Sequence, residues 1–262
     1  MLTNPLIVAR KELVDHLRDT RSLASSALFT LMGPAVVLLV SIGRPASSIG
    51  TSAPSPLPVM AAVFAFVSAF SGGLSVAMDM IAGERERRSL VPLLVNAVSR
   101  LDIVIGKWLA VVVFAAAGLF INFAAFALVL AASQGVPDAA SGKALLSAAP
   151  ALFSLAALAA SLEILVSAMC RSVKEAHTYL TMLVFAAMGI GMWLAFHPNV
   201  TPPWWFLAPV AGQLRLLEYC FARHELLLTQ SMALAATTAI LVGPVLMTTG
   251  RVFRRDEVVY GG

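Results

Sequence analysis

Residues 82–107 read AGERERRSLVPLLVNAVSRLDIVIGK, and they place a dense cluster of charges between two long apolar segments. The charged cluster comprises Glu84, Arg85, Glu86, Arg87 and Arg88. A charge at the centre of a bilayer costs roughly 2.5 to 3.5 kcal/mol even on mild insertion scales. The cluster therefore predicts the end of a membrane helix.

The rest of this stretch predicts a short surface helix and then the start of the next membrane helix. Ser89 can cap a helix over residues 89–95, whose apolar residues recur at i, i+4 spacing. Ser99 and Asp102 form a capping-box-like pair, after which the apolar sequence resumes. Residues 82–102 are thus predicted to form a short, ordered loop, which the positive-inside rule places in the cytoplasm.

The composition predicts an all-α integral membrane protein with one transmembrane domain over residues 1–262. Hydrophobic residues make up 59% of the chain and charged residues only 12%, whereas charge alone is about 25% in a soluble domain. The length of 262 residues leaves room for about six spans of ~20 residues and no separate soluble domain. The net charge of +4 does not indicate nucleic-acid binding, because the basic residues lie at helix ends.

The hydrophobic pattern predicts six spans, at residues 23–42, 59–81, 103–133, 144–169, 178–196 and 226–249. Of the 18 Lys and Arg residues, all but Arg44, Lys143, Arg215 and Arg223 fall on one side of this arrangement. This bias predicts that both termini are cytoplasmic. The protein is therefore expected in the inner (cytoplasmic) membrane.

Two segments outside the spans are predicted to be helical. In residues 4–21, Leu6, Leu13 and Leu17 recur at helical spacing opposite charged residues, which predicts an amphipathic helix along the membrane surface. The external segment 197–225 contains an apolar stripe and an i, i+3 pair of Arg215 with Glu218. It predicts a short helix that lies on, or dips into, the outer leaflet.

Three polar residues within the spans are candidates for a translocation pathway. Asp79 is an ion ligand or, as the structural alternative, an interfacial residue that pairs with Arg85 or Arg88. Asn122 forms a helix-to-helix hydrogen bond or lines the pathway. Glu163 lies about 9 Å along its helix from Met169, at ~1.5 Å per residue. It serves ion passage or gating, or it is a structural acceptor or a carboxylate that extends to the interface.

Motifs for nucleotide binding and hydrolysis are missing from the sequence. There is no G-x-x-x-x-G-K-[ST] loop, no H-E-x-x-H and no G-x-S-x-G, so the chain is not expected to be an enzyme. Cys170 and Cys220 are predicted to lie on opposite sides of the membrane as free thiols, and no metal-ligand spacing occurs.

The charge cluster, the following Ser-Leu-x-x-Leu-Leu, and the later Ser-Arg-Leu-Asp-Ile and Gly-Lys resemble the first cytoplasmic loop of type-2 ABC transporter permeases. Residues 9–21 resemble the entry helix of that family, and residues 250–257 resemble its tail. Pro-Val-Ala-Gly-Gln at 209–213 is similar to the sodium-efflux permease branch. The resemblance covers nearly the whole chain.

The resemblance implies that residues 82–102 dock on a separate ATPase subunit through a coupling helix. It implies that Glu84 and Glu86 help to hold the coupling region, while the leucines fill a groove of the ATPase. The residues assigned to this coupling are Glu84, Arg85, Glu86, Ser89, Leu90, Leu93 and Leu94.

The expected function is that of the permease subunit of an exporter, in a homodimer or related heterodimer with two ABC ATPase subunits. ATP and Mg are expected on the ATPase, with no cofactor or metal on this chain. Two alternatives remain: a non-transport scaffold or sensor that uses an ABC-type ATPase, and a membrane-embedded enzyme. Substrate-stimulated ATP hydrolysis would argue against the scaffold, and the enzyme needs catalytic groups that converge in the membrane.

Overall fold

The chain is helical throughout the part that the structure describes. A computed structural model describes residues 3–42, 57–87, 99–134, 142–197, 204, 207–222 and 228–253, and over these residues it contains no strand. The predicted all-α fold class is confirmed. The helices are α1 (Thr3–Arg18), α2 (Thr20–Ile42), α3 (Leu57–Glu86), α4 (Arg100–Gln134), α5 (Gly142–Met169), α6 (Val173–Phe196), α7 (Ala211–Phe221) and α8 (Leu228–Val252).

Five of these helices are long and apolar enough to cross a membrane, namely α3, α4, α5, α6 and α8. The apolar part of α2, Ser26–Ile42, is shorter, so the sixth span stays a prediction. The largest extensions past the predicted apolar limits are in α3, which continues to Glu86, and in α6, which already begins at Val173. The early start of α6 follows from Ser172, whose hydroxyl accepts a hydrogen bond from the Glu175 N–H at 3.2 Å and so caps the helix.

The helix α3 changes its winding along its length. It is α-helical over Leu57–Gly72 and Leu74–Met78, with an interruption at Gly73 between them. A π-helical turn, Asp79–Gly83, follows, and a final α-helical turn ends at Glu86. Such π-helical turns inside α-helices are frequent at functional sites.

The helices α4 and α5 form the centre of the bundle. α4 packs against α1, α2, α3 and α5, while α5 packs against α3, α4, α7 and α8. α5 is the most buried of the five spans, and many of its buried residues are alanines. Small side chains let helix backbones approach closely in a membrane, so the Ala-rich sequence of α5 accounts for its central position.

Polar side chains in the spans bond to neighbouring helices. The Asn122 amide of α4 donates a hydrogen bond to the Thr30 carbonyl of α2, which agrees with the predicted helix-to-helix bond. In α5, Pro150 has no N–H to donate within the helix, and the N–H of the next residue, Ala151, donates to Ser231 Oγ of α8 at 3.1 Å. Each bond satisfies a polar group that could not reach water inside a bilayer.

The short helix α7 packs against α3 and α5 rather than only against lipid. Its predicted apolar residues Leu214, Leu217 and Phe221 are buried, and Arg215 is buried with them. The predicted ion pair of Arg215 with Glu218 is present. The protein therefore covers the apolar face of this helix, and its position on, or dipping into, the outer leaflet stays a prediction.

The N-terminal helix α1 packs along α4, and Leu13 contributes to a buried cluster of the bundle. The buried face of α1 contains Ala9, Glu12 and His16, whereas Leu6 and Leu17 are more than half exposed. The helix itself is observed, and Leu6 and Leu17 of its predicted apolar stripe are exposed, whereas Leu13 packs against the bundle. Its position along the membrane surface stays a prediction.

A charged junction at one end of the bundle

The charged junction, defined as Glu12, Glu84, Arg85, Glu86 and Lys107, lies where α3 ends. The described part of this loop stops at Arg87 and resumes at residue 99. The helix predicted at 89–95 therefore stays a prediction. Its proposed ATPase contacts Ser89, Leu90, Leu93 and Leu94 lie outside the described residues.

Lys107 is the centre of the junction, and its ammonium group is fully buried. Its Nζ lies 2.8 Å from Oε1 of Glu12 in α1 and 2.9 Å from Oε2 of Glu84 in α3. It also donates a hydrogen bond of 2.9 Å to the carbonyl of Met80 in the π-helical turn. The ammonium group thus donates hydrogen bonds to Glu12 and to the Met80 carbonyl, and Glu84 adds a second carboxylate at ion-pair distance.

A second lysine, Lys11, balances the charge of the buried group formed by Lys107, Glu12 and Glu84. Lys11 Nζ lies 3.5 Å from Glu12 and 4.0 Å from Glu84, at the exposed edge of the group. Two carboxylates thus face two ammonium groups. Burial of an ion is expensive unless partners of opposite charge and hydrogen bonds surround it, and here α1, α3 and α4 together supply them.

Arg85 points away from Lys107 and binds the end of α5. Its guanidinium donates to the carbonyl of Ala168 at 2.8 Å and to the carbonyl of Cys170. The last carbonyls of a helix have no hydrogen-bond partner within the helix. A cation at that end also interacts favourably with the negative end of the helix dipole. Arg85 therefore fixes the end of α3 to the end of α5.

Glu86 binds the beginning of the next helix. Its Oε2 accepts a hydrogen bond of 2.9 Å from the N–H of Val173, the first residue of α6. A carboxylate at a helix N-terminus is stabilised by the free N–H groups and by the helix dipole. Three consecutive residues thus connect α3 to its neighbours. Glu84 connects it to α1 and α4, Arg85 to α5, and Glu86 to α6.

The far end of the loop is fixed as well. The N–H of Asp102 donates to Ser99 Oγ at 3.0 Å, which confirms Ser99 as the predicted cap of α4. Arg100 donates a hydrogen bond of 2.8 Å to the carbonyl of Phe253, immediately after α8. Gly106 lies so close to α1 that a Cβ would be 2.7 Å from the carbonyl oxygen of Pro5. Both sides of the loop are therefore joined to the helices around them.

The translocation candidates do not come together in the structure. The carboxylate of Asp79 lies 2.6 Å from Arg87 at an exposed position, so its partner is Arg87. The predicted pairing with Arg85 is wrong because Arg85 binds α5 instead, and Arg88 lies outside the described residues. Asn122 bonds to α2.

Glu163 is fully buried in α5. It lies beside Gly73 of α3, where a Cβ would be 2.5 Å from its Oε2. Neither carboxylate oxygen has a hydrogen-bond partner among the described residues. Over the same part of the chain, no group of three His, Cys, Asp or Glu residues could hold a metal ion.

Sequence reasoning missed the buried contacts of Glu12 and treated Lys107 only as a topology signal. Their partners come from positions far apart in the chain, which periodicity within one helix cannot reveal. One signal was available: Glu12 lies at helical spacing from Ala9 and His16, on the same face. An acidic residue on a helix face with so few other charged residues would have indicated a buried partner of opposite charge.

Comparison with known proteins agrees with this architecture. Residues 6–258 match the family described as ABC-2 family transporter protein. The ABC transporter permease protein NatB of Bacillus subtilis (strain 168) is 35% identical over 142 residues, which cover 52% of this chain and 36% of that protein. The chain therefore belongs to the ABC-2 family of transporter proteins.

Proposed function

We propose that the chain is the membrane-spanning permease subunit of an ABC exporter, and that it receives the force of ATP hydrolysis through residues 82–102. The charged junction carries this proposal. Residues on the two sides of the loop are fixed by hydrogen bonds and ion pairs to α1, α5, α6 and α8. A loop anchored in this way transmits a displacement to the helices instead of absorbing it.

The proposed mechanism is mechanical. ATP and Mg bind to a separate ATPase subunit, which docks on the predicted helix at 89–95. Closure of two such subunits pushes this helix and moves the ends of α3 and α4. Because Lys107 joins α4 to Glu12 and Glu84, α1 moves with them. The substrate pathway then opens between this permease and a second copy or a related chain.

The proposed orientation places the charged junction in the cytoplasm. The junction and the ends of α5 and α8 lie together at one end of the bundle, and most Lys and Arg residues belong to these segments. Short loops rich in Lys and Arg stay in the cytoplasm. The exposed apolar residues of α1 would then contact the inner surface of the bilayer.

A cation is the substrate class that the sequence favours. Residues 209–213 are similar to the sodium-efflux branch, and the relative with 35% identity is named as a permease. In this segment Gln213 bonds to Ser154 of α5 and Thr238 of α8, which fixes α7 to the bundle. The membrane-enzyme alternative loses support, because Asp79, Asn122 and Glu163 have separate surroundings.

The docking role can be tested with a double substitution of Leu93→Asp and Leu94→Asp in the permease, co-expressed with its ATPase subunit. Burial of an unpaired charge in an apolar contact costs several kcal/mol. We expect the variant to insert normally and to lose the ATPase during purification. Asn96→Asp is the matched control, since it adds a charge to the same loop and removes no apolar side chain. Normal co-purification and transport by the double variant would refute the docking role.

A further inference from the structure

Glu163 is a buried acid whose charge nothing in its surroundings balances. Its side chain is fully buried, and both carboxylate oxygens lack a hydrogen-bond partner within the described ranges. The residues beside it are Gly73 of α3 and, next to Gly73, Val111 and Ala115 of α4. An ionised carboxylate in such an apolar place, without a partner, is strongly disfavoured.

The charged groups on the neighbouring helices are engaged elsewhere. On α3, Asp79 pairs with Arg87. On α4, Lys107 forms ion pairs with Glu12 and Glu84 and a hydrogen bond with the Met80 carbonyl. The charged residues of the other helices packed on α5 are Glu175 and Lys174 of α6, Arg215 and Glu218 of α7, and Arg251 of α8. Glu175 binds the Arg171 N–H, Arg215 pairs with Glu218, and Arg251 and Lys174 are exposed.

Gly73 covers the carboxyl group of Glu163 at the point where α3 is interrupted. A Cβ at Gly73 would lie 2.5 Å from Oε2 of Glu163 and 2.8 Å from Cγ1 of Val111, so only glycine fits there. The adjacent Gly72 is different, because a Cβ there would meet nothing closer than 3.4 Å. Beyond Gly73, α3 continues directly into the π-helical turn and the charged junction.

We propose that Glu163 is a proton-exchange site of this permease. The carboxyl group holds a proton while Gly73 covers it. When the inner part of α3 moves, the O–H bond breaks, the proton passes to an entering water molecule as hydronium, and the carboxylate is left hydrated. The reverse movement restores the proton. The inference rests on the proposed function only for the movement of α3.

Ser167 supplies the first polar side chain for a proton that moves from Glu163 towards the charged junction. It is fully buried, and its hydroxyl has no partner in the part of the chain that the structure covers. It lies one helical turn from Glu163, about 6 Å along the axis at ~1.5 Å per residue, in the direction of the charged junction. A hydroxyl group both donates and accepts hydrogen bonds, which is what proton transfer requires.

Infrared spectroscopy of the permease–ATPase complex in lipid tests the proposal directly. At neutral pH we expect a carboxylic-acid C=O band that is absent from Glu163→Gln and unchanged in Glu175→Gln. Glutamine has the shape of the neutral acid, so this variant should fold. Adding ATP and Mg should weaken the band in the wild type and leave the spectrum of the Gln variant unchanged in this region. Because ATP hydrolysis itself releases protons, proton release to a pH-indicator dye is measured with Mg and a non-hydrolysable ATP analogue. Under these conditions the wild type should release protons and the Gln variant should not.

The outcomes separate the inference from the proposed function. If the wild type lacks the band at neutral pH, or keeps it unchanged while ATP is hydrolysed, the exchange site is refuted and the permease function stands. If the band is present but the chain neither binds an ATPase nor responds to ATP, the proposed function fails. Gly73→Ala should shift the band by crowding the carboxyl group, whereas Gly72→Ala should leave it in place.

Discussion

The Nζ of Lys107 lies 2.8 Å from the carboxylate of Glu12, and both side chains are buried although 95 positions separate them in the sequence. This ion pair fastens the N-terminal helix to the base of the loop that is proposed to receive the ATPase. Its loss should therefore affect both stability and coupling.

Replacing Lys107 by Met should destabilise the protein strongly. The substitution removes the charge and leaves Glu12 and Glu84 buried without it, and breaking a buried ion pair costs about 3–5 kcal/mol. We expect a lower Tm in detergent and protease cleavage within α1. Lys11→Met is the matched control, because Lys11 is half exposed and makes longer ion pairs; it should cost about 0–1 kcal/mol. Equal losses in both variants would contradict the buried role of Lys107.

Replacing Gly106 by Ala should push α1 away from α4. The new Cβ would lie 2.6 Å from Cβ of Val8 and 2.7 Å from the Pro5 carbonyl, and overpacking of this kind costs about 1–3 kcal/mol. The control is Gly189→Ala in α6, where a Cβ meets nothing within 4 Å. Since alanine favours helix by about 0.5–1 kcal/mol, the control should be neutral or stabilising. Thermal unfolding would show whether the two changes differ in sign.

Arg85 should matter more than Arg87 for coupling between ATP hydrolysis and transport. Arg85→Gln removes bonds to two carbonyls at the end of α5, and hydrogen bonds to charged groups are worth about 1.5–3 kcal/mol. Arg87→Gln removes an ion pair with Asp79 on the surface, worth about 0–1 kcal/mol. The measurement is the amount of substrate exported per ATP in proteoliposomes. A larger loss with Arg87→Gln would mean that the contact with α5 does not transmit force.

The two native cysteines should resist thiol reagents in the folded protein. Burial raises the pKa of the Cys220 thiol to about 12. Burial, and then the negative charge of Glu175, raise the pKa of Cys170. A raised thiol pKa lowers the fraction of reactive thiolate at neutral pH, so labelling should require denaturation or strongly alkaline solution. Rapid labelling of the native protein at neutral pH would show that one of these sites is open.

If the native cysteines do not react, single cysteines introduced into the wild-type sequence can be used to map the membrane topology. Cysteines introduced at Ser52, Asp138 and Asn199 should react in intact cells with a reagent that cannot cross the membrane. A cysteine at Arg87 should react only after the membrane is opened. The opposite pattern would invert the assignment of cytoplasmic and external sides.

The sequence was sufficient to predict features that depend on neighbours along the chain. The charges after residue 83 indicated where α3 ends, and the cap at Ser99 and the pair of Arg215 with Glu218 were predicted from i, i+3 spacing. Asn122 could be assigned to a helix-to-helix bond, because a polar side chain inside a bilayer needs a partner from the protein.

Contacts between distant helices could not be predicted in the same way. The helix pattern showed which residues share a face of α7, but it did not show that protein covers that face. No contact was assigned to Glu12 from the sequence, and Lys107 was used only as a topology signal. Lysine and glutamate are almost never fully buried unless they are paired. Only the folded bundle shows that they are paired with each other.

The distribution of the junction over α1, α3 and α4 also determines when α1 can reach its final position. During synthesis Glu12 leaves the ribosome long before Lys107, so α1 must wait at the membrane surface until the hairpin of α3 and α4 has inserted. Docking of α1 is then a late step of biogenesis, and it succeeds only if that hairpin has inserted correctly. A chain that stops before Lys107 keeps Glu12 and Glu84 without the cation that unites them, and its loose first helix would mark it for degradation.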